Sequence, residues 1–163
     1  MVVLGIDPAV TKTGYAIILF ERNNPSVADS GCIITDRRMD FALRLKHIYD
    51  ELGSVIQQYR PEAAALEQTI YTQNVQTAIK MGQARGVALL AAVNALVPTF
   101  EYAPREIKQA VTGNGAAPKQ QVQRMVAQLL RITDMPSSLD ISDAMAVAIC
   151  HYHRSSLQNR GVR

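Results

Sequence analysis

Four carboxylates carry the chemical interest of this 163-residue chain. Asp7 closes the apolar run Val2-Val3-Leu4-Gly5-Ile6, and Glu67 closes Ala63-Ala64-Ala65-Leu66. A carboxylate at the edge of a core is costly unless it is paired, hydrogen-bonded or bound to metal. Asp140 and Asp143 stand three apart at the start of a helical pattern, which puts both on one side of the helix. Val147 continues that side toward the core. Taken singly, each acid has a plain structural role: a strand-end acid facing solvent or capping a turn, a helix N-cap at Asp140, a first-turn acid at Asp143. Brought together, the four would repel severely. Divalent cations relieve such repulsion, and an all-oxygen donor set selects Mg²⁺, with Mn²⁺ as a substitute. Two such ions about 3.5–4 Å apart clamp the attacking and leaving oxygens of a phosphodiester. The implied chemistry is metal-dependent phosphodiester hydrolysis, with no histidine or serine nucleophile.

The charge pattern suits such a substrate. Net charge is only +3, but between residues 70 and 133 lie seven basic residues (Lys80, Arg85, Arg105, Lys108, Lys119, Arg124, Arg131) against two acids, Glu101 and Glu106. The stretch from His151 to Arg163 adds three arginines and no acid. A local excess of positive charge favours a polyanion, whose counterions are released on contact; an ordinary solvated surface explains the same count equally well. Cys32 and Cys150 form no CxxC pair, so two reduced, buried thiols are expected and a zinc site is not. No apolar run reaches the ~18 residues of a membrane span. The N-terminus lacks the basic start and cleavage site of a signal peptide, so the expected location is the cytoplasm.

The elements that must position the acids can be read in order. Val2–Asp7 reads as a strand buried on both faces. Gly14–Phe20 and Val27–Thr35 follow as strands, joined at the hairpin signal Asn23-Asn24-Pro25. Asp40–Tyr59 is a helix, with Asp40 as its N-cap. Ala63–Glu67 is a short strand, Asn74–Leu96 a long helix and Thr99–Tyr102 another strand. A short helix spans Arg105 to about Val111, and Thr112–Ala117, with Gly113 and Gly115, is expected to be a mobile loop. Pro118–Leu130 is a helix with proline at its first position. The last helix runs from Asp140 to about His153. The order βββαβαβααα predicts an α/β fold of ribonuclease H-like type, a mixed five-stranded sheet flanked by helices. Residues 1–155 form one nuclease domain, and residues 156–163 are expected as a flexible basic tail.

Longer motifs narrow the field. Gly5-Ile6-Asp7-Pro8 followed by Thr13-Gly14-Tyr15 resembles the opening of the RuvC Holliday junction resolvases. Glu67-Gln68, Gly82-Gln83-Ala84-Arg85-Gly86-Val87-Ala88 and Lys108-Gln109 are similar to the family's middle, and Asp140-Ile141-Ser142-Asp143-Ala144 to its closing helix. The resemblance covers Val2 to about His153. It implies a homodimer that resolves four-way DNA junctions by paired Mg²⁺-dependent nicks in recombination and repair, alongside the RuvA–RuvB branch-migration complex. It implies metal ligation by Asp7, Glu67, Asp140 and Asp143, with two ions per site and with Lys108 and Lys119 near the scissile phosphate. Lys119 sits in the first turn of a helix, where a cation opposes the dipole, an independent hint of function. Two departures stand out. Ala9 replaces the usual glycine, at about 1 kcal/mol if that position needs φ > 0. Ile70 stands where the family has a base-stacking aromatic; adjacent Tyr71 is a substitute, with stacking worth about 1–3 kcal/mol per base.

Lys80 and Arg85 join Tyr71, Lys108 and Lys119 as expected DNA contacts. Gly82 and Gly86, with Ala78 one turn earlier, make a small-residue stripe on the long helix. Each helical glycine costs about 1 kcal/mol, so the stripe implies close approach of another backbone, either this chain's own sheet or a second copy across a two-fold axis. Three competing functions share parts of the pattern: a nucleotide-binding module of the actin and sugar-kinase type, a non-catalytic junction binder, and a ribonuclease H-like nuclease acting on another nucleic acid such as an RNA–DNA hybrid.

Overall fold

The computed structural model describes residues 1–21, 24–68, 74–134, 136 and 138–160, the last three by backbone alone. Asn23 of the hairpin signal, Ile70 and Tyr71 lie outside the described residues. Five strands, β1 (Val2–Asp7), β2 (Lys12–Glu21), β3 (Asn24–Ile34), β4 (Ala63–Glu67) and β5 (Thr99–Tyr102), form one sheet in the order β3-β2-β1-β4-β5. β2 is antiparallel to both β1 and β3, while β4 runs parallel to β1 and β5 parallel to β4. The helices are α1 (Phe41–Tyr59), α2 (Val75–Asn94), α3 (Pro104–Thr112), α4 (Lys119–Leu130) and α5 (Leu139–Arg160). This is the mixed, ribonuclease H-like sheet that the element order predicts.

Two cores explain the layering. Side chains alternate across a strand. Along β1, Val3 packs into one core with α3, α4 and α5, while Leu4 and Ile6 pack into the other with α1 and α2. Along β4, Ala65 goes to the α5 side, and Ala64 and Leu66 to the α1–α2 side. α5 is buried on every side from Ala144 to Cys150, as a helix must be when it lies between a sheet and a further helical layer. Two glycines let it lie there. A Cβ on Gly5 would stand 2.0 Å from the Ala144 carbonyl oxygen, and one on Gly14 would stand 2.2 Å from that of Asp140.

Several boundaries differ from the sequence pattern. β2 runs one residue and β3 three residues further toward their hairpin, because each supplies main-chain partners to the other regardless of side-chain type: Phe20 registers with Pro25 and Glu21 with Asn24. Pro25 is tolerated because β3 is an edge strand. Pro118 is the cap of α4 and not its first helical residue. α5 continues past His153 to Arg160, held by stacking of Tyr152 on Phe20 at 4.0 Å and by the Arg154–Glu106 ion pair. Residues 156–160 of the expected tail are therefore helical, and 161–163 lie outside the described residues. The 112–117 segment, expected as a mobile loop, carries hydrogen bonds of its own: Gln109 Nε2 donates to Gly113 O, Gly115 N to Gln109 Oε1, and Ala116 N to Asn114 Oδ1. Gly113, with φ of 76°, ends α3 in the left-handed region.

Candidate metal centre and nucleic-acid cleft

The strand alternation decides where the acids point. Asp7 follows Val3 and Gly5, and Glu67 follows Ala65, on the face toward α5. Ile6 registers with Leu66, so the two acids end neighbouring parallel strands on the same side of the sheet. Asp140 and Asp143 enter that side on the first turn and a half of α5, which Gly14 and Gly5 seat against the strands. Residues far apart in sequence thus converge at one end of the sheet.

The electrostatics register the convergence. Burial, then the charges of Asp143, Glu67 and Asp140, push the Asp7 carboxyl from 3.8 up to about 7. Glu67 is raised by burial and by Asp143, with Lys119 and Lys108 opposing. Lysines hold the two helix acids: Lys119 Nζ lies 2.6 Å from Asp143 Oδ2, and Lys12 Nζ lies 3.1 Å from Asp140 Oδ2. Ser138 Oγ donates to the same Asp140 oxygen at 2.8 Å. Burial works against ionised Asp140, but Ser138 and Lys12 together hold its carboxyl below the usual range. Burial likewise works against charged Lys119, yet the hydrogen bond and charge of Asp143 leave the ammonium above its ordinary value. Among the described residues, no three acidic, His or Cys side chains close into a ready cage for one ion; the carboxylates stand within Coulomb range, two of them bonded to ammonium groups. The donor set fits divalent cations: oxygens only, partly desolvated and mutually repelling.

Glu67, Lys108, Lys119 and Asp143 line a cleft of about 200 Å³ with Pro104, Ile107, Val122 and Ala146. A larger cavity of about 610 Å³ lies between α3 and the C-terminal half of α5 and is lined by none of the four acids. From the cleft, Lys108 and Pro104 lead into a shallow groove along Arg105 and the 113–116 segment.

The other expected contacts are distributed unevenly. Arg85 Nε donates to Glu101 at 2.6 Å, so its charge is already engaged on the α2–β5 flank. Lys80 is exposed beside Phe41 and Ile79, away from the acids. Ala78, Gly82 and Gly86 are exposed, and a Cβ on either glycine would meet nothing within 4 Å. The stripe therefore does not pack on the chain's own sheet. Ala9 is not among the residues with positive φ, so it carries no strain. Thr13 Oγ1 donates to its carbonyl at 2.6 Å, and the turn after Asp7 is further pinned by buried Arg44, which donates to Thr35 Oγ1 and Val10 O. Cys150 is buried; Cys32 is only half-buried, its sulfur 3.3 Å from Ser138 Oγ. Sequence reasoning missed Lys12, Ser138 and Arg44.

Comparison with known proteins places this geometry. Residues 3–151 match the family model described as crossover junction endodeoxyribonuclease RuvC. The RuvC of Geotalea uraniireducens (strain Rf4) is 48% identical over 157 residues, covering 96% of this chain and 91% of that protein. That of Geobacter sp. (strain M21) is 46% identical, with both chains covered fully. Among solved structures, Thermus thermophilus RuvC in complex with Holliday junction substrate superposes with a TM-score of 0.93 at 31% identity, over 97% of this chain and 96% of that one. The yeast mitochondrial Holliday junction resolvase, at 10% identity and a TM-score of 0.68, shares the fold. With the family model spanning nearly the whole chain and full-length relatives close to half identical, this protein belongs to the RuvC family of crossover junction endodeoxyribonucleases.

Proposed function

We propose that this protein resolves Holliday junctions by Mg²⁺-dependent, paired symmetric nicking in DNA recombination and repair. The observation that carries the reading is the meeting of Asp7, Glu67, Asp140 and Asp143 at one end of the sheet, with three of them raising the pKa of the fourth. Two Mg²⁺ ions held by these carboxylates would supply Lewis-acid activation of water and of the leaving 3′ oxygen. The chain's own residues do the rest. Asp7 and Glu67, fixed on strand ends, set the floor of the site. Asp140 and Asp143 close it from α5. Lys108 and Lys119, on the cleft wall, hold the scissile phosphate. Arg105, in the adjoining groove, with Lys80 and Tyr71 as further contacts, positions the backbone without reading sequence, while Arg85 is held by Glu101.

A four-way junction has approximate two-fold symmetry, and a C2 dimer presents two sites to opposed strands. The exposed face of α2 supports such a dimer: Ala78, Ile79, Gly82, Gly86, Leu90 and Val93 lie along one side, apolar yet solvent-facing. Glycines there permit two helices to approach closely. By family likeness the dimer works in the cytoplasm with the RuvA–RuvB branch-migration complex. No helix among the described residues is long and apolar enough to cross a membrane.

A nicking assay in Mg²⁺ on a four-way junction, linear duplex and RNA–DNA hybrid tests the reading. It predicts paired nicks in the junction and little cutting of the others. Preferred cutting of the hybrid would instead make this a ribonuclease H-like enzyme of different substrate; ATP binding without nicking would favour the actin-like alternative.

A further inference from the structure

Lys12 has no part in the family resemblance, yet it touches the site. It opens β2 and registers with Ile34 at the sheet's β3 side. Two residues on, and therefore on the same face of the strand, Gly14 lies against the backbone of Asp140, where a Cβ would be 2.2 Å from its carbonyl oxygen. The same strand thus fixes the Asp140 backbone through Gly14 and its carboxylate through Lys12, whose Nζ is 3.1 Å from Oδ2. Ser138 Oγ donates to that oxygen too, and Cys32 on β3 backs Ser138 at 3.3 Å. Asp140 Oδ2 thus has two side-chain partners, one of them a cation. Lys12 remains partly exposed, at 40%, so its long side chain has somewhere to go.

We infer that Lys12 is a positioning residue that serves as a built-in placeholder cation: it holds Asp140 ready in the metal-free protein and gives way when divalent ions enter. The competition is Coulombic. An ammonium on Asp140 lowers the repulsion among the four acids, which stabilises the empty site. The same ammonium, a few ångströms from an incoming dication, opposes its binding. Lys12 and the ions thus compete for one carboxylate. A lysine with a merely structural role would stabilise the metal-free and metal-bound forms alike.

This inference rests on the metal-binding reading above, and thermal denaturation with Mg²⁺ titration separates the two. Lys12→Met keeps most of the stem and removes the charge. Its metal-free melting temperature is expected to fall by about 2–4 °C, while the Mg²⁺ concentration giving half the maximal stabilisation falls about three- to tenfold. Lys12→Arg should restore both values toward wild type. Lys46→Met, which breaks the surface Lys46–Asp50 pair on α1, should leave the Mg²⁺ midpoint unchanged. A Lys12→Met midpoint equal to or above that of wild type, with wild type itself stabilised by Mg²⁺, overturns the placeholder role alone. Wild type with no Mg²⁺-dependent shift would overturn the metal-binding reading beneath it.

Discussion

Lys119 Nζ lies 2.6 Å from Asp143 Oδ2, which ties the first residue of α4 to the helix carrying two of the four acids. A lysine at a helix N-terminus opposes the dipole, and its ion pair across to α5 accounts for its being there. The bond also places a cation on the cleft wall facing Glu67.

Lys119→Ala should therefore slow cleavage far more than it weakens junction binding, by about 10- to 100-fold in single-turnover rate against a change in Kd of about threefold or less. Single-turnover kinetics and a gel-shift titration measure the two. A variant cutting at the wild-type rate would remove Lys119 from the chemistry.

Asp7→Asn separates binding from catalysis and from stability. In the folded, metal-free protein the Asp7 pKa is raised from 3.8 to about 7. The stability linked to this group is full below pH 4 and is lost as pH rises through 7, because the ionised form is the one the fold disfavours. At pH 8 in EDTA the uncharged amide should raise stability by about 1–3 kcal/mol, seen as a higher Tm than wild type. The same variant should lose cleavage and the Mg²⁺-induced Tm shift while still binding junctions. Loss of junction binding with cleavage intact would contradict the assignment.

Gly14→Ala should push α5 off the sheet. A Cβ at 2.2 Å from the Asp140 carbonyl oxygen has backbone in its way, and overpacking of this kind costs about 1–3 kcal/mol. The expected result is a lower Tm and cleavage reduced more than junction binding. Unchanged activity would mean that Asp140 tolerates displacement.

Much of this was legible in the sequence. The unbroken apolar run of β1 and the short run of β4 mark strands buried on both faces, and each ends in an acid whose face follows from simple alternation. Lys12 was not legible, because a lysine after a turn looks like surface until the far end of the chain folds onto it. Arg85 was counted within a basic stretch, but linear counting cannot see Glu101 across space. The glycines of the 112–117 segment gave no hint of its hydrogen bonds to the Gln109 and Asn114 side chains, which form only once the turn has closed. Gly5 and Gly14 did carry a signal, since glycine inside a strand marks close approach of another backbone.

Ile79→Asp places a charge in the exposed apolar face of α2, where Ile79 is 57% exposed. Sedimentation should show a monomer in place of a dimer, and on a junction the variant should make single, uncoupled nicks. A dimer that survives this substitution would move the interface off α2.

Crystals soaked in Mn²⁺ and measured at the manganese absorption edge would locate the divalent ions themselves. Anomalous density is expected between Asp7, Glu67, Asp140 and Asp143, with carboxylate oxygens about 2.1 Å from the ion and the Lys12 ammonium moved away from Asp140. Ordered Mn²⁺ bound only elsewhere, with these four side chains unchanged, would contradict it.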